Sequence, residues 1–257
     1  MTRLLILALL APATLSAQSA LDGTWRVDPS TTQYVGTEKR SLQGGVYRCD
    51  SCYPKVNVKA DGQDQKVSGS PYFDTVSVRA IGDSTIEMVN KKNGKVVGTS
   101  KMTASADGKE LATEFTYVTE GGQTGGGKYN STRVGAAPAG TSKISGEWQP
   151  GPLQSATESM VVTTYKVNGD GLSNSDLNGG SYSAKFDGKD YPFKGSPGIT
   201  TVALKKVDSN TVEETYKLNG NVVGVNRITV APDGKTASFV YEDKLQHVTY
   251  KSVATKQ

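Results

Sequence analysis

Residues 85–104 read TIEMVNKKNGKVVGTSKMTA, and residues 211–230 read TVEETYKLNGNVVGVNRITV. In both stretches an Asn-Gly pair separates two segments rich in β-branched residues, which is a strong local signal for a β-hairpin. We predict a three-residue loop of Lys92, Asn93 and Gly94, with Gly94 in the left-handed conformation of a bulged turn. In this register one face of the hairpin is mostly apolar and the other is charged, as a half-buried sheet requires. The inward face carries Ile86, Met88, Asn90, Val96, Gly98, Ser100, Met102 and Ala104, and the outward face carries Glu87, Lys91, Lys95 and Lys101.

These two stretches belong to an internal repeat. Residues 69–71, Gly-Ser-Pro, return at 195–197, and Asp-Gly-Lys at 107–109 returns at 233–235 with the same spacing. Near the start of each copy, Gly-Thr-Trp at 23–25 corresponds to Gly-Glu-Trp at 146–148. A collinear series of matches at this long spacing indicates two duplicated domains rather than a solenoid of short repeats.

Turn signals within each copy have the spacing of an antiparallel meander, and about eight strands are readable in each. We therefore predict an all-β chain with two tandem antiparallel up-and-down β-barrels, which would remove exposed sheet edges. The predicted divisions are a signal peptide at 1–17, a first unit at 18–135, a linker at 136–142 and a second unit at 143–257.

The N-terminus has the pattern of a secretory signal peptide. Arg3 precedes the apolar run Leu4 to Leu10, and small residues follow. Cleavage after Ala17 fits this pattern best, with Ser19 or Ala20 as alternatives. The apolar run is far shorter than the roughly 20 residues that span a bilayer. We expect a periplasmic or secreted protein that does not span the membrane.

The charge pattern argues against a nucleic-acid partner. The formal net charge is +4, and lysines are interspersed with acidic residues instead of forming a basic stripe. This arrangement is typical of a solvated surface.

Cys49 and Cys52 are the sharpest local feature and have three conceivable uses. A redox pair would need a helix N-terminus, whereas the flanking residues indicate strands. A zinc site would need further ligands, but no other cysteine exists and His247 is the only histidine. These missing partners favour a structural disulfide in an oxidising compartment.

No grouping of residues indicates catalysis. His247 lies in a predicted final strand without a Ser-His-Asp arrangement, and the glycine-rich residues 121–127 lack the lysine and helix of a phosphate-binding loop. We predict a protein that is not an enzyme and that needs no cofactor or metal.

The Gly-x-Trp motif at the start of a small β-meander barrel resembles the opening of a lipocalin-like domain. The whole chain also resembles tandem lipocalin-like proteins that bacteria export. The resemblance implies that the tryptophan closes one end of the barrel and that a basic residue of the last strand packs over it. The implied pairs are Trp25 with Arg133 and Trp148 with Lys251.

The inward face of the second unit is the most suggestive place for a ligand. There Glu214, Tyr216 and Asn226 would be polar anchors among apolar walls, as in small-molecule sites. In the first unit the corresponding inward face offers Met88, Asn90, Ser100 and Met102. The alternative interpretation of Glu214 is a water-filled or salt-bridged barrel end, because a carboxylate in a dry core is costly unless it is paired.

We expect an exported binding protein that holds a small hydrophobic or amphipathic molecule in a β-barrel. The alternative is an envelope structural or interaction protein whose barrels are filled by side chains, since eight-stranded barrels can be either hollow or packed. A cavity of roughly 300 Å3 or more would favour ligand binding.

Overall fold

The structure is a computed structural model that describes residues 20–257. It contains two barrel-shaped antiparallel sheets, which confirms the predicted all-β fold with two barrels. The predicted signal peptide at 1–17 lies outside the described residues. Among residues 20–257, no helix is long and apolar enough to cross a membrane.

The first sheet, which we call barrel one, contains ten strands. Its strands are β3 (Glu38–Gln43), β4 (Val46–Cys49), β5 (Val56–Lys59), β6 (Asp61–Lys66), β7 (Thr75–Ile81), β8 (Thr85–Lys92), β9 (Lys95–Ala104), β10 (Glu110–Val118), β11 (Thr124–Val134) and β12 (Gly146–Ala156). The order around the sheet is β5-β4-β3-β12-β11-β10-β9-β8-β7-β6. The edge strands β5 and β6 follow one another through Ala60. The Ala60 N–H donates to Gly45 O at 2.8 Å, and the Ala80 N–H donates to Ala60 O at 3.1 Å, so this residue links both edges.

The second sheet, which we call barrel two, contains eleven strands. They are β1 (Gly23–Val27), β2 (Gln33–Val35), β13 (Val162–Asn168), β14 (Gly171–Asp176), β15 (Ser181–Lys185), β16 (Tyr191–Lys194), β17 (Thr201–Lys206), β18 (Thr211–Leu218), β19 (Asn221–Val230), β20 (Thr236–Asp243) and β21 (Val248–Lys256). Strand β1 pairs with both β13 and β21, which closes the barrel by hydrogen bonds. A 3-10 helix (Pro29–Thr31) lies between β1 and β2, and a short helix α1 (Glu158–Val161) precedes β13.

The path of the chain differs from two self-contained units at 18–135 and 143–257. Strand β1 of the first repeat lies in barrel two, and its counterpart β12 of the second repeat lies in barrel one. The chain passes between the barrels at residues 35–38 and again at 156–162, and the predicted linker at 136–142 connects β11 to β12 within barrel one. The additional strands raise the predicted eight per unit to ten and eleven, because each barrel includes short strands that the turn pattern does not resolve.

The central hairpin of barrel one confirms the predicted faces but not the predicted loop. Ile86 is opposite Met102, and Asn90 is opposite Gly98 on the inward face. Asn93 and Gly94 both have positive φ, so the loop has two residues, and the extra residue is Val97, which forms a bulge between Val96 and Gly98. Val96 is consequently 48% exposed instead of facing inward. The equivalent Val222 of barrel two is 42% exposed for the same reason.

A tryptophan is buried in the core of each barrel, but its basic partner differs from the implied one. Trp25 and Trp148 are fully buried, and their indole N–H groups donate to Leu21 O at 2.8 Å and Ile144 O at 2.9 Å. Arg133 lies 4.1 Å over the Trp148 ring, and Lys256 lies 5.4 Å over the Trp25 ring. The implied pairs of Trp25 with Arg133 and of Trp148 with Lys251 are therefore wrong. The exchange of first strands between the barrels places Trp148 beside Arg133. In barrel two the residue directly opposite Trp25 on β21 is Lys256 and not Lys251.

Cys49 and Cys52 form the predicted disulfide. The Cys49 side chain packs in the core of barrel one, and the bond spans the turn between β4 and β5. His247 is exposed in the turn before β21 and not inside the final strand.

Candidate functional site

A cavity of about 550 Å3 lies between the two barrels. Strands β8, β9 and β10 of barrel one supply one wall, and the loops after β14 and β16 of barrel two supply the other. Five aromatic side chains line this space, namely Tyr72, Phe73, Phe115, Tyr117 and Phe193. The volume is above the roughly 300 Å3 at which small-molecule sites begin.

The cavity wall formed by barrel one is concave because a residue without a side chain lies between larger neighbours. Asn90, Gly98 and Tyr117 are neighbours across β8, β9 and β10 in the same register row. Gly98 has no side chain, and the Tyr117 ring covers Gly125, where a Cβ would overlap it. The room between Asn90 and Tyr117 therefore remains available for the cavity, which Ser100 lines in the next row.

Hydrogen bonds join the barrels across this cavity. The Tyr117 hydroxyl donates to Asn178 Oδ1 at 3.1 Å, and the hydroxyls of Tyr72 and Ser196 lie 3.5 Å apart. Tyr72 also packs on Gly198, where a Cβ would overlap its ring. Tyr72 and Ser196 belong to the segments around the repeated Gly-Ser-Pro at 69–71 and 195–197. The repeat is thus a sequence signal for this site, although we did not predict these contacts from it.

The corresponding inward positions of barrel two are filled. At the same repeat positions, Tyr216 replaces Asn90, Asn226 replaces Ser100 and Glu214 replaces Met88. The Tyr216 ring contacts Phe193 edge to face, with centroids 5.9 Å apart. Phe193 therefore separates the cavity from the interior of barrel two.

Glu214 is the centre of a buried polar network. Its side chain is 0% exposed, and it accepts hydrogen bonds from Tyr182, from Tyr216 at 2.6 Å and from Asn226 at 2.7 Å. Burial raises the pKa of the Glu214 carboxyl, and the hydrogen bonds from these neighbours partly oppose that effect. Within this network, every oxygen of the carboxyl has a donor, which is how a buried carboxyl is tolerated.

The structure divides the predicted ligand-binding residues into three groups. Asn90 and Ser100 line the cavity. Met102 is buried in the core of barrel one and Met88 packs against that core. Glu214, Tyr216 and Asn226 do meet, as predicted, but they bond to one another and are not among the residues that line the cavity.

Charged groups are few around the cavity. Asp176 accepts the N–H groups of Asn178 and Gly180, each at 2.8 Å, and burial raises the pKa of its carboxyl. Lys92 and Glu120 add one charge of each sign. Within residues 20–257, no cluster of three or more His, Cys, Asp or Glu side chains has the arrangement of a metal site. The cavity thus suits a molecule that is largely apolar.

Comparison with known proteins adds no relative. No family description matches the chain, and no curated protein matches it significantly. The cavity and the residues around it are thus the features of the molecule that indicate a function.

Proposed function

We propose that this chain is an exported, lipocalin-type binding protein that holds a small apolar or amphipathic molecule in the cavity between its barrels. The observation that carries the proposal is the cavity of about 550 Å3 with five aromatic side chains in its walls. Ligand sites are typically concave, mainly apolar and equipped with a few polar groups, here Asn90, Ser100 and Asn178. We propose binding and not catalysis, because the sequence has no recognisable pairing of a nucleophile with a base.

Each barrel would have a different part in this function. Barrel one would hold the ligand, since its inward residues Asn90, Gly98 and Ser100 are small. Barrel two would be a support that covers the cavity with Phe193 and the residues around Ser196. The filled interior of barrel two favours the alternative function, a structural or interaction role, for that half of the chain.

A cavity-filling substitution tests the proposal. Asn90→Tyr introduces the residue that barrel two has at the equivalent position, Tyr216. We expect the affinity for the neutral fluorescent probe N-phenyl-1-naphthylamine to fall about tenfold or more, which corresponds to about 1.4 kcal/mol. Fluorescence titration measures the change.

Thr103→Tyr is the matched control, because Thr103 is exposed on the outward face of β9. It should leave probe binding unchanged. Equal binding by wild type and both variants would show that the probe does not use the cavity, and an absence of binding by wild type would contradict the proposal itself.

Export is proposed from the N-terminal pattern and from the disulfide between Cys49 and Cys52. The mature protein would begin at Gln18. Intact-mass measurement of the protein isolated from its host tests this, and a mass that includes residues 1–17 would argue against cleavage. The same measurement under native conditions would reveal a co-purified ligand as added mass.

A further inference from the structure

Unpaired polar atoms are concentrated inside barrel one. Among residues 20–257, five buried side-chain atoms have no hydrogen-bond partner, and four of them belong to barrel one. These four are Arg40 Nε, Asn90 Oδ1, Thr113 Oγ1 and Ser131 Oγ. Tyr129 is the cross-strand neighbour of Thr113, and its hydroxyl is the protein group closest to pairing with Thr113 Oγ1. Thr113 and Ser131 are 6% and 1% exposed, so bulk solvent does not reach them freely. Buried polar groups in proteins normally have partners, so these atoms could form hydrogen bonds with a polar group that enters the barrel.

Asn90 lines the cavity, and Thr113 and Ser131 lie further along the strands of barrel one. Thr113 is two residues from Phe115 on β10, and its neighbour Met102 is two residues from Ser100 on β9. Phe115 and Ser100 both line the cavity. Since a strand rises about 3.3 Å per residue, Thr113 lies about 7 Å deeper in the barrel than they do. Ser131 is opposite Leu111, one further row down.

Arg40 reaches the same row from the other side of the barrel. One guanidinium nitrogen contacts the sulfur of Met102, which is the cross-strand neighbour of Thr113. A second nitrogen forms an ion pair with Glu38, and the two side chains are only 6% and 18% exposed. Nε remains as a free donor.

The charge of this group restricts what it can bind. The positive charge of Arg40 is balanced by Glu38, and the neighbouring Tyr129 hydroxyl lies 3.4 Å from the Glu38 carboxylate. An ionised ligand group would therefore add an unbalanced charge to a poorly solvated interior, which is unfavourable. A hydroxyl or an amide can instead accept from Arg40 Nε and exchange hydrogen bonds with the two hydroxyls without introducing charge.

We propose that the ligand is a neutral amphipathic molecule whose hydroxyl or amide end binds inside barrel one, at Arg40 Nε, Thr113 and Ser131. Its apolar body occupies the aromatic-lined cavity, and Asn90 Oδ1 accepts a hydrogen bond where the two parts meet. This inference rests on the proposed binding function and adds the chemical class of the ligand.

The test compares four competitors that share one body. The full-length mature protein is loaded with N-phenyl-1-naphthylamine, and displacement is measured with 4-phenylbutanol, 4-phenylbutanamide, 4-phenylbutyrate and 4-phenylbutylammonium at neutral pH. We expect the alcohol and the amide to displace the probe at concentrations about tenfold lower than the two ions, because each ion would bring an unpaired charge into the barrel. Equal potency of all four would overturn the inference, while the binding of the probe would still support the proposed function.

Three variants locate the polar end. Thr113→Val and Ser131→Ala remove one hydroxyl each and should weaken the alcohol and the amide about fivefold, with little change for the probe. Thr132→Val, at the exposed neighbour of Ser131, should change neither. If Thr113→Val is unfolded by circular dichroism, Ser131→Ala decides the question. Wild-type selectivity in both variants would mean that water and not the ligand pairs with these hydroxyls, which would also overturn the inference.

Discussion

Glu214 has an inward-facing carboxyl whose hydrogen-bond donors come from three strands of barrel two. Its inward position in a β-strand is evident from the alternation of side chains. Whether an inward carboxyl faces a ligand depends on its neighbours, and here Tyr182, Tyr216 and Asn226 supply the donors. Tyr182 lies 32 residues away on β15, so no local pattern announces it.

The raised pKa of Glu214 predicts a pH-dependent stability. A carboxyl whose pKa is higher in the folded than in the unfolded protein stabilises the fold fully below about pH 4.3, the ordinary value. This contribution is lost as the pH rises through the folded-state pKa. Glu214→Gln, which keeps one acceptor and cannot ionise, should therefore gain stability relative to wild type as the pH rises. Urea unfolding at several pH values measures the difference.

Glu214→Leu is the companion variant for this experiment. It leaves three donors without an acceptor and should lose about 2–5 kcal/mol. Both variants should bind the fluorescent probe as wild type does, because Phe193 lies between this network and the cavity. A difference between wild type and Glu214→Gln that stays constant with pH would contradict the titration argument.

The hairpin of β8 and β9 has a shorter loop than predicted, although most of its side chains lie on the predicted faces. An alternative loop length shifts the register by one residue, which would turn every side chain to the other face. The bulge at Val97 compensates for the two-residue loop, so that Met88 and Ser100 share the inward face as predicted. Local sequence therefore predicts the partition into faces better than it predicts the position of the extra residue.

The disulfide between β4 and β5 should have a modest effect on stability. It closes a loop of four residues, Cys49 to Cys52, for which loop entropy predicts about 2 kcal/mol. Wild type should lose about this amount on reduction, as measured by urea unfolding with and without a thiol reductant. The Cys49→Ala/Cys52→Ala double variant should not respond to the reductant. Complete unfolding of reduced wild type would mean that barrel one needs the bond for folding.

At the scale of the whole molecule, the exchanged first strands tie the two repeats together. Strand β1 pairs with β13 and β21 in barrel two, and β12 pairs with β3 and β11 in barrel one. Each barrel thus depends on a strand from the other repeat. The cavity between the barrels likewise takes its walls from both repeats.

This topology predicts that a cut in the chain will not separate the repeats. The segment 135–140 is exposed, so a protease site inserted there can be cleaved in the folded protein. The two fragments should stay associated and co-elute in size-exclusion chromatography, because β1 and β12 remain inserted in the opposite barrels. Separation occurs only after denaturation. Two folded, independent fragments under native conditions would contradict the exchange of strands.

Residue patterns along the chain are enough to predict the β class, the duplication, the disulfide and the faces of most hairpin residues, because each depends on spacing in the sequence. The inward positions of Asn90 and Ser100, which line the cavity, were predicted in the same way. Which barrel each first strand enters is visible only in the folded molecule. Gly-Thr-Trp and Gly-Glu-Trp are nearly equivalent motifs, so their local chemistry fits either barrel, and the choice depends on connections across the whole chain. The cavity between the barrels is likewise a property of the tertiary structure, since no single repeat contains both of its walls.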